Sequence, residues 1–238
     1  MKKLLKIVAA LVMAATLTAC SDSSDNRYTS ARDDYVSYYD NASSIIESNK
    51  SNIDNNGVLN TSTDQTVDHT FVFDGFTYSG TYTGDVVSGV PDGSGTFSGK
   101  SSDGDKVAAT GTWKSGQLNG QDNVTVEYVE YMDTSSIIWK GQFVDNALNG
   151  EGECTIYYSA EYVASNDVES AVVKGQFKNN GPTGTVEATN YFTSSFAAEY
   201  GFDRVVSIGK WIGEEGMEPP YTAKYYNGDT LVDEVVME

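Results

Sequence analysis

The chain has 238 residues and a formal net charge of −19 at neutral pH, with 34 acidic against 15 basic side chains. An acidic balance of this size opposes binding to nucleic acids, whose phosphates are negatively charged. One histidine and two cysteines are too few for the usual zinc ligand sets, and no serine lies in a Gly-x-Ser-x-Gly context. The composition therefore predicts no nucleic-acid partner, no metal site and no cofactor.

The first nineteen residues have the pattern of a secretory signal. A lysine-rich start precedes an apolar run over residues 4–17, which is too short to span a membrane comfortably. The run closes with Leu17-Thr18-Ala19-Cys20, which resembles the bacterial lipobox and implies cleavage before Cys20 and attachment of a diacylglyceryl group to it. Residues 1–19 are therefore predicted to be a lipoprotein signal peptide. We expect the mature protein in the cell envelope, anchored in the membrane through the lipid on Cys20. It would be exposed outside the cytoplasm, on the outer leaflet of the cell membrane or on the outer membrane.

Residues 20–66 differ from the rest of the chain because they are rich in Ser, Asp and Asn. This composition predicts a polar tether that is disordered over residues 21–30 and 48–66. Between these stretches, apolar side chains recur at three- and four-residue steps, which predicts one short amphipathic helix over about 32–48. The helix is expected to pack on the domain that follows or to bind a partner.

The remainder of the chain carries, five times, a glycine that is followed two residues later by an aromatic residue. The glycines recur every 30 to 34 residues, which predicts a stacked array of structural repeats. The five occurrences are Gly80-Thr-Tyr82, Gly111-Thr-Trp113, Gly141-Gln-Phe143, Gly175-Gln-Phe177 and Gly209-Lys-Trp211. Each is followed by a dipeptide that tolerates positive φ and so predicts a two-residue hairpin turn. These dipeptides are Gly84-Asp85, Ser115-Gly116, Asp145-Asn146, Asn179-Asn180 and Gly213-Glu214.

Strand geometry gives the glycine a structural role in each repeat. Trp139, Gly141 and Phe143 lie on the same face of a strand, because side chains alternate between faces. A glycine between two large residues leaves a gap that a ring from a neighbouring strand is expected to cover. A hairpin with one aromatic face cannot bury that face alone, so neighbouring hairpins must stack.

The third repeat, Trp139-Lys-Gly141-Gln-Phe143-Val-Asp-Asn146-Ala-Leu-Asn-Gly150-Glu-Gly152, resembles the MORN repeat. The first repeat is similar to it through Tyr78-Ser-Gly80-Thr-Tyr82, whereas the second and fourth have Asp122 and Val186 in place of the last glycine. The resemblance covers about residues 76–228. It implies an all-β fold, a single-layer antiparallel sheet of stacked β-hairpins, and a role in membrane tethering or protein scaffolding.

The connections between repeats also predict structure. Clean alternation over residues 124–131 predicts a long strand, whereas residues 159–170 and 194–200 are expected to form short helical excursions. The turn at Asn227-Gly228 predicts a final hairpin, with residues 231–236 as an edge strand. Acidic side chains on that strand are expected to discourage the addition of other strands. The repeat domain is predicted to cover residues 67–238.

Few residues suggest catalysis. His69 is expected at the surface or at a strand edge, and Cys154 is predicted to be a small core residue, with a reactive thiol as the alternative. The acidic residues lie in turns and on polar faces, and none is predicted to have an apolar environment.

Two interpretations of the repeated aromatics are open. The rings form the core of the array, or they line a concave surface that binds a sugar chain, a peptide or a partner helix. This candidate binding surface comprises Tyr78, Tyr82, Trp113, Trp139, Phe143, Phe177 and Trp211. The predicted function is non-catalytic binding or scaffolding at the cell surface, with an envelope protein or glycan as the partner. The alternatives are glycan recognition by the aromatic row and an envelope hydrolase that uses surface carboxylates.

Overall fold

The computed structural model describes residues 61–131, 133–213 and 216–238. The predicted signal peptide, Cys20 and the predicted helix over about 32–48 lie outside the described residues. Thirteen strands of the described chain form one open antiparallel sheet, and two short helices interrupt the succession of strands. This architecture confirms the predicted all-β, single-layer array of stacked hairpins.

The strands follow one another across the sheet in the order in which they occur in the chain. The first six are β1 (Thr61–Phe73), β2 (Phe76–Val87), β3 (Val90–Lys100), β4 (Lys106–Lys114), β5 (Gln117–Leu118) and β6 (Gly120–Tyr131). The next seven are β7 (Thr134–Val144), β8 (Ala147–Tyr158), β9 (Val168–Lys178), β10 (Gly181–Phe192), β11 (Arg204–Trp211), β12 (Met217–Asn227) and β13 (Thr230–Met237). The short β5 pairs with β4 beside the main path, on which β6 follows β4. The helices are α1 (Ala160–Asn166) and α2 (Ser194–Tyr200), and both lie in the predicted helical excursions.

The described chain forms two compact units. The N-terminal unit contains the described residues up to Val126, together with 141–147. The C-terminal unit contains residues 127–140 and 148–238.

Three of the predicted turns have the expected backbone. Both central residues of the turns at Ser115-Gly116, Asp145-Asn146 and Asn179-Asn180 have positive φ, between 49° and 82°. This is the geometry of the tight hairpin turns whose twist matches that of the flanking strands. The predicted dipeptides therefore form the turns of the second, third and fourth repeats.

The prediction of a turn at Gly84-Asp85 is wrong. These residues lie inside β2, and the chain turns at Ser88-Gly89 instead, where φ is 52° and 79°. The pairing of β2 with β3 shifts between Gly84 and Val86, which marks a bulge. Gly93 of the return strand follows Gly80 by 13 residues, whereas Gly120 follows Gly111 by nine in the second repeat. The four additional residues of the first repeat therefore lengthen both arms of the hairpin and move the turn outwards.

The first strand begins earlier than predicted. Thr61 pairs with Val87 and Ser62 with Val86, so residues 61–66 belong to the sheet rather than to a disordered tether. All six of these residues are exposed. Backbone pairing with the lengthened arm of β2 therefore orders this segment, and burial does not, which is why composition failed to predict it.

Each unit has an aromatic core on one face of its strands. In the N-terminal unit, the ring of Trp113 lies 5.2 Å from that of Tyr82 and 5.6 Å from that of Phe71, both edge-on. A Cβ at Gly95 would overlap the ring of Tyr82, so a ring covers this glycine of the return strand. The triplet glycines differ from the prediction, because a Cβ at Gly80 would meet the backbone of Ser98 and one at Gly111 would meet the carboxyl group of Asp122, and neither would meet a ring. In the C-terminal unit, Phe202 packs edge-on against Tyr225 at 5.1 Å.

Candidate functional site

The seven residues of the predicted binding surface are all buried. Their exposed fractions are 0% for Tyr78 and Tyr82, 1% for Trp113, Trp139 and Phe143, 4% for Phe177 and 6% for Trp211. No ring face among them is open to a ligand in the described structure. The burial favours the first of the two interpretations, in which these rings are the core of the array.

The polar atoms of two of these rings form hydrogen bonds within the fold. The hydroxyl of Tyr82 donates to the carbonyls of Asp85 and Ser94, each at 3.1 Å. The indole Nε1 of Trp113 donates to the carbonyl of Gly95 at 3.2 Å. Burial raises the pKa of Tyr82 to about 12, with the charge of Asp85 as a smaller contribution. These hydrogen bonds fix the rings in place and leave their polar atoms little capacity for a ligand.

Side chains from the turns join successive repeats. In the C-terminal unit, the amide oxygen of Asn180 accepts from the backbone N–H of Leu148 at 2.7 Å, and the N–H of Asn180 donates to the carbonyl of Leu148 at 3.1 Å. In the N-terminal unit, Asn146 makes the same two bonds to Leu118, at 2.6 and 3.1 Å. Both asparagines are 7% exposed. We call this pair of bonds the asparagine clasp.

The second repeat has glycine where the asparagine clasp needs a side chain, and His69 lies there. The Nε2 of His69 donates to the carbonyl of Gly116 at 2.9 Å, and its ring meets those of Phe97 and Trp113 edge-on at 5.7 Å. Desolvation lowers the pKa of His69 to about 4, although its hydrogen bond to Gly116 opposes this shift. His69 therefore packs against these rings from the edge strand β1, so of the two expected positions the structure shows the strand edge and not the open surface.

One acidic residue lies in an environment that the sequence analysis missed. Asp122 is only 5% exposed, and its Oδ1 accepts from the backbone N–H of Thr112 at 2.8 Å. Its Oδ2 has no hydrogen-bond partner among the described residues, and a Cβ at Gly111 would overlap the carboxyl group. Burial raises the pKa of Asp122, and the bond from Thr112 opposes this shift. The loss of the last glycine of the motif at this position was the available signal.

The other chemically distinctive residues give no site. Cys154 is fully buried, as the core prediction requires. Within the described ranges, no three His, Cys, Asp or Glu side chains are grouped closely enough to hold a metal ion. The two helices of these ranges are both too short to cross a membrane.

The opposite face of the sheet, which we call the outer face, carries two exposed aromatic residues of the C-terminal unit. Tyr157 on β8 is 44% exposed and Tyr191 on β10 is 39% exposed. Register connects them through Ser170 of β9, which pairs with both residues. The two tyrosines therefore lie in one row across three strands. Sequence analysis did not select them, although their 34-residue separation equals the local repeat period.

Comparison with known families agrees with the fold. The MORN repeat family model matches residues 82–104, 110–121 and 139–157. No curated protein matches the chain. MORN repeats are, in general, non-catalytic modules for binding and scaffolding. The matched segments contain hairpins of the observed sheet, and this agreement between motif and fold shows that the chain carries MORN repeats between residues 82 and 157.

Proposed function

We propose that this protein is a non-catalytic binding or scaffolding module, held at the cell envelope by lipid attached to Cys20. The observation that carries the proposal is that the repeated aromatic residues form the buried core of the array and leave no exposed aromatic groove among themselves. Because the repeated rings are buried, and the polar atoms of Tyr82 and Trp113 are hydrogen-bonded within the fold, a partner must use the outer face or the edges of the sheet. The lipid anchor is supported by the sequence of the first twenty residues.

The hydrolase alternative has one observation in its favour and one against it. Asp122 has a raised pKa, as a general acid requires. However, one of its oxygens is bound to Thr112, and its carboxyl group is buried against Gly111. This arrangement supports a structural role, in which the carboxylate satisfies a backbone N–H.

The scaffolding proposal is tested by photo-cross-linking in cells of the source organism. A photoreactive residue is placed at one exposed position at a time, for example Val129, Tyr191 or Val236, which are 71%, 39% and 54% exposed. We expect discrete cross-linked products from some of these positions, each of which is identified by mass spectrometry and recovered in the reciprocal experiment with the tagged partner. Recovery of the bait alone from every position would contradict the proposal, and samples kept in the dark provide the background.

A further inference from the structure

The exposed tyrosines belong to a longer row on the outer face of the C-terminal unit. Backbone pairing aligns one residue from each of five strands, β8 to β12. Tyr157 pairs with Ser170, Ser170 with Tyr191, Tyr191 with Arg204, and Arg204 with Tyr226. Residues that pair in this way point to the same face of an antiparallel sheet. We call these five residues the tyrosine row.

The neighbouring row on the same face is uncharged over four strands. It consists of Thr155, Val172, Thr189 and Val206, which are aligned by the same pairings. On β12 this row continues with Lys224, which pairs with Val206 and lies 3.9 Å from Glu234. In the next row, Lys174 lies 3.2 Å from Glu153 in an ion pair. In a chain with 34 acidic side chains, the tyrosine row and this neighbouring row, which together we call the strip, contain no acidic residue on β8 to β12.

The one basic residue of the tyrosine row is engaged within the protein. The guanidinium carbon of Arg204 lies 4.7 Å from the centre of the Tyr226 ring. The Nη1 of Arg204 is 3.3 Å from the carboxylate of Asp203 and also donates to the carbonyl of Gly228. The charge of Arg204 is therefore compensated by Asp203, and the strip offers little net charge to a ligand.

The rings of the tyrosine row recur on every second strand. Two strand separations correspond to about 10 Å, which is comparable to the length of one disaccharide in an extended polysaccharide. Tyrosine combines a flat apolar ring with a polar hydroxyl and so suits the alternating C–H faces and hydroxyl groups of a sugar. Threonine and serine hydroxyls beside the rings offer both donors and acceptors.

We propose that this strip binds a neutral, extended polysaccharide that runs across the strands and stacks sugar rings on Tyr157 and Tyr191, with Tyr226 at the far end. The proposal deepens the proposed function, since it names the ligand class of a binding module. A negatively charged protein repels anionic polymers, whereas a neutral polymer experiences no such penalty. The absence of acidic side chains from the strip agrees with this choice of ligand.

A sugar chain fits the strip better than a peptide does. The backbone groups of β8 to β12 are already paired within the sheet, so an extended peptide lying on this face finds no free N–H or C=O groups. Strand addition takes place at a sheet edge, not on a face. A polysaccharide carries its own hydroxyl groups and needs only rings and hydroxyls from the protein.

The test is electrophoresis of the purified protein in native gels that contain a soluble polysaccharide. We expect retardation by the neutral polymers hydroxyethyl cellulose and glucomannan, and much weaker retardation by the anionic polymer carboxymethyl cellulose. Tyr157→Ala and Tyr191→Ala should each weaken binding about tenfold, which is the effect of losing one ring contact. Tyr157→Phe and Tyr191→Phe keep the ring and should bind nearly as the parent does. Tyr200→Ala is the matched control, since Tyr200 is 42% exposed but lies on α2, outside the strip.

Three results would overturn the polysaccharide proposal. They are no retardation by either neutral polymer, equal retardation by carboxymethyl cellulose, and equal loss of binding in Tyr200→Ala. The melting temperature of every variant is measured and compared with that of the parent protein, so that a folding defect is distinguished from a loss of binding. A protein cross-linked at Tyr191 in the absence of retardation would place a protein on the strip. That outcome overturns the polysaccharide ligand and leaves the scaffolding proposal standing.

Discussion

Substitutions in the asparagine clasp between Asn180 and Leu148 can measure how much one side chain contributes to the stability of the array. Asn180 occupies a turn position with φ of 67° and places its amide oxygen 2.7 Å from the buried N–H of Leu148. The side chain thus has two roles, because it tolerates the left-handed backbone and it satisfies a donor that no solvent reaches. Substitutions that remove one role at a time separate the two contributions.

The expected magnitudes follow from the cost of each loss. Asn180→Gly keeps the backbone conformation but leaves the N–H of Leu148 without an acceptor, which costs about 1–3 kcal/mol. Asn180→Ala loses the same bond and also forces alanine into the left-handed region, at a further cost of about 1–2 kcal/mol. Asn180→Asp retains an acceptor and should be the mildest of the three. In a protein of this size, each kcal/mol lowers Tm by about 2–4 °C.

Urea unfolding followed by tryptophan fluorescence measures these differences, and circular dichroism checks that the sheet is intact. Asn179→Gly is the matched control, because Asn179 also has positive φ, at 49°, but its side chain is exposed. We expect Asn179→Gly to change the free energy of unfolding by less than about 0.5 kcal/mol. If Asn180→Gly were as stable as Asn179→Gly, the clasp would contribute nothing and the argument for it would fail.

Three further predictions concern the lipid anchor and two buried titratable groups. Cys20→Ser should abolish incorporation of labelled palmitate in cells and release the protein from the membrane fraction, and continued labelling would refute the anchor. Asp122→Asn should raise the free energy of unfolding at pH 7, because the raised pKa of Asp122 means that burial penalises its carboxylate. This gain should shrink as the pH falls and the parent carboxyl becomes protonated, and a gain independent of pH would contradict the electrostatic cause. Because burial lowers the pKa of His69 from 6.5 to about 4, the unfolded chain binds the proton more readily, and stability should fall as the pH drops through this interval. His69→Phe should remove about 3 kcal/mol of that fall, measured as the difference in unfolding free energy between pH 7 and pH 4.

The sequence was sufficient for the architecture because the repeat period and the turn residues are local signals. Ser115-Gly116 and Asn179-Asn180 turn as predicted, since positive φ is a property of the residues themselves. The first turn was predicted at the wrong position because Gly84 lies inside β2, where it makes room for the backbone of the neighbouring strand. The inserted residues moved the turn to Ser88-Gly89. A glycine that makes room for a neighbouring strand cannot be told from a turn glycine by its identity alone.

The candidate sites were harder to predict, because they depend on which strands become neighbours. Tyr157 and Tyr191 are far apart in the chain, and only the register of β8, β9 and β10 shows that they share a row. The repeated triplets predicted a binding surface on the face that each hairpin buries. The sequence did not distinguish Asp122 from the other acidic residues, because its carboxyl group is buried in the space that Gly111, on the adjoining strand, leaves without a side chain.

The asparagine clasp also bears on how such a chain changes in length during evolution. Within the C-terminal unit, each acceptor and donor that joins Asn180 to Leu148 is supplied by residues one repeat apart. A tandem duplication of residues 148–181 would carry both halves of the clasp with it, so the added hairpin would arrive with its own means of attachment. Copy number is therefore open to selection in steps of one hairpin, and a longer array extends the outer face without requiring compensating changes in the turns.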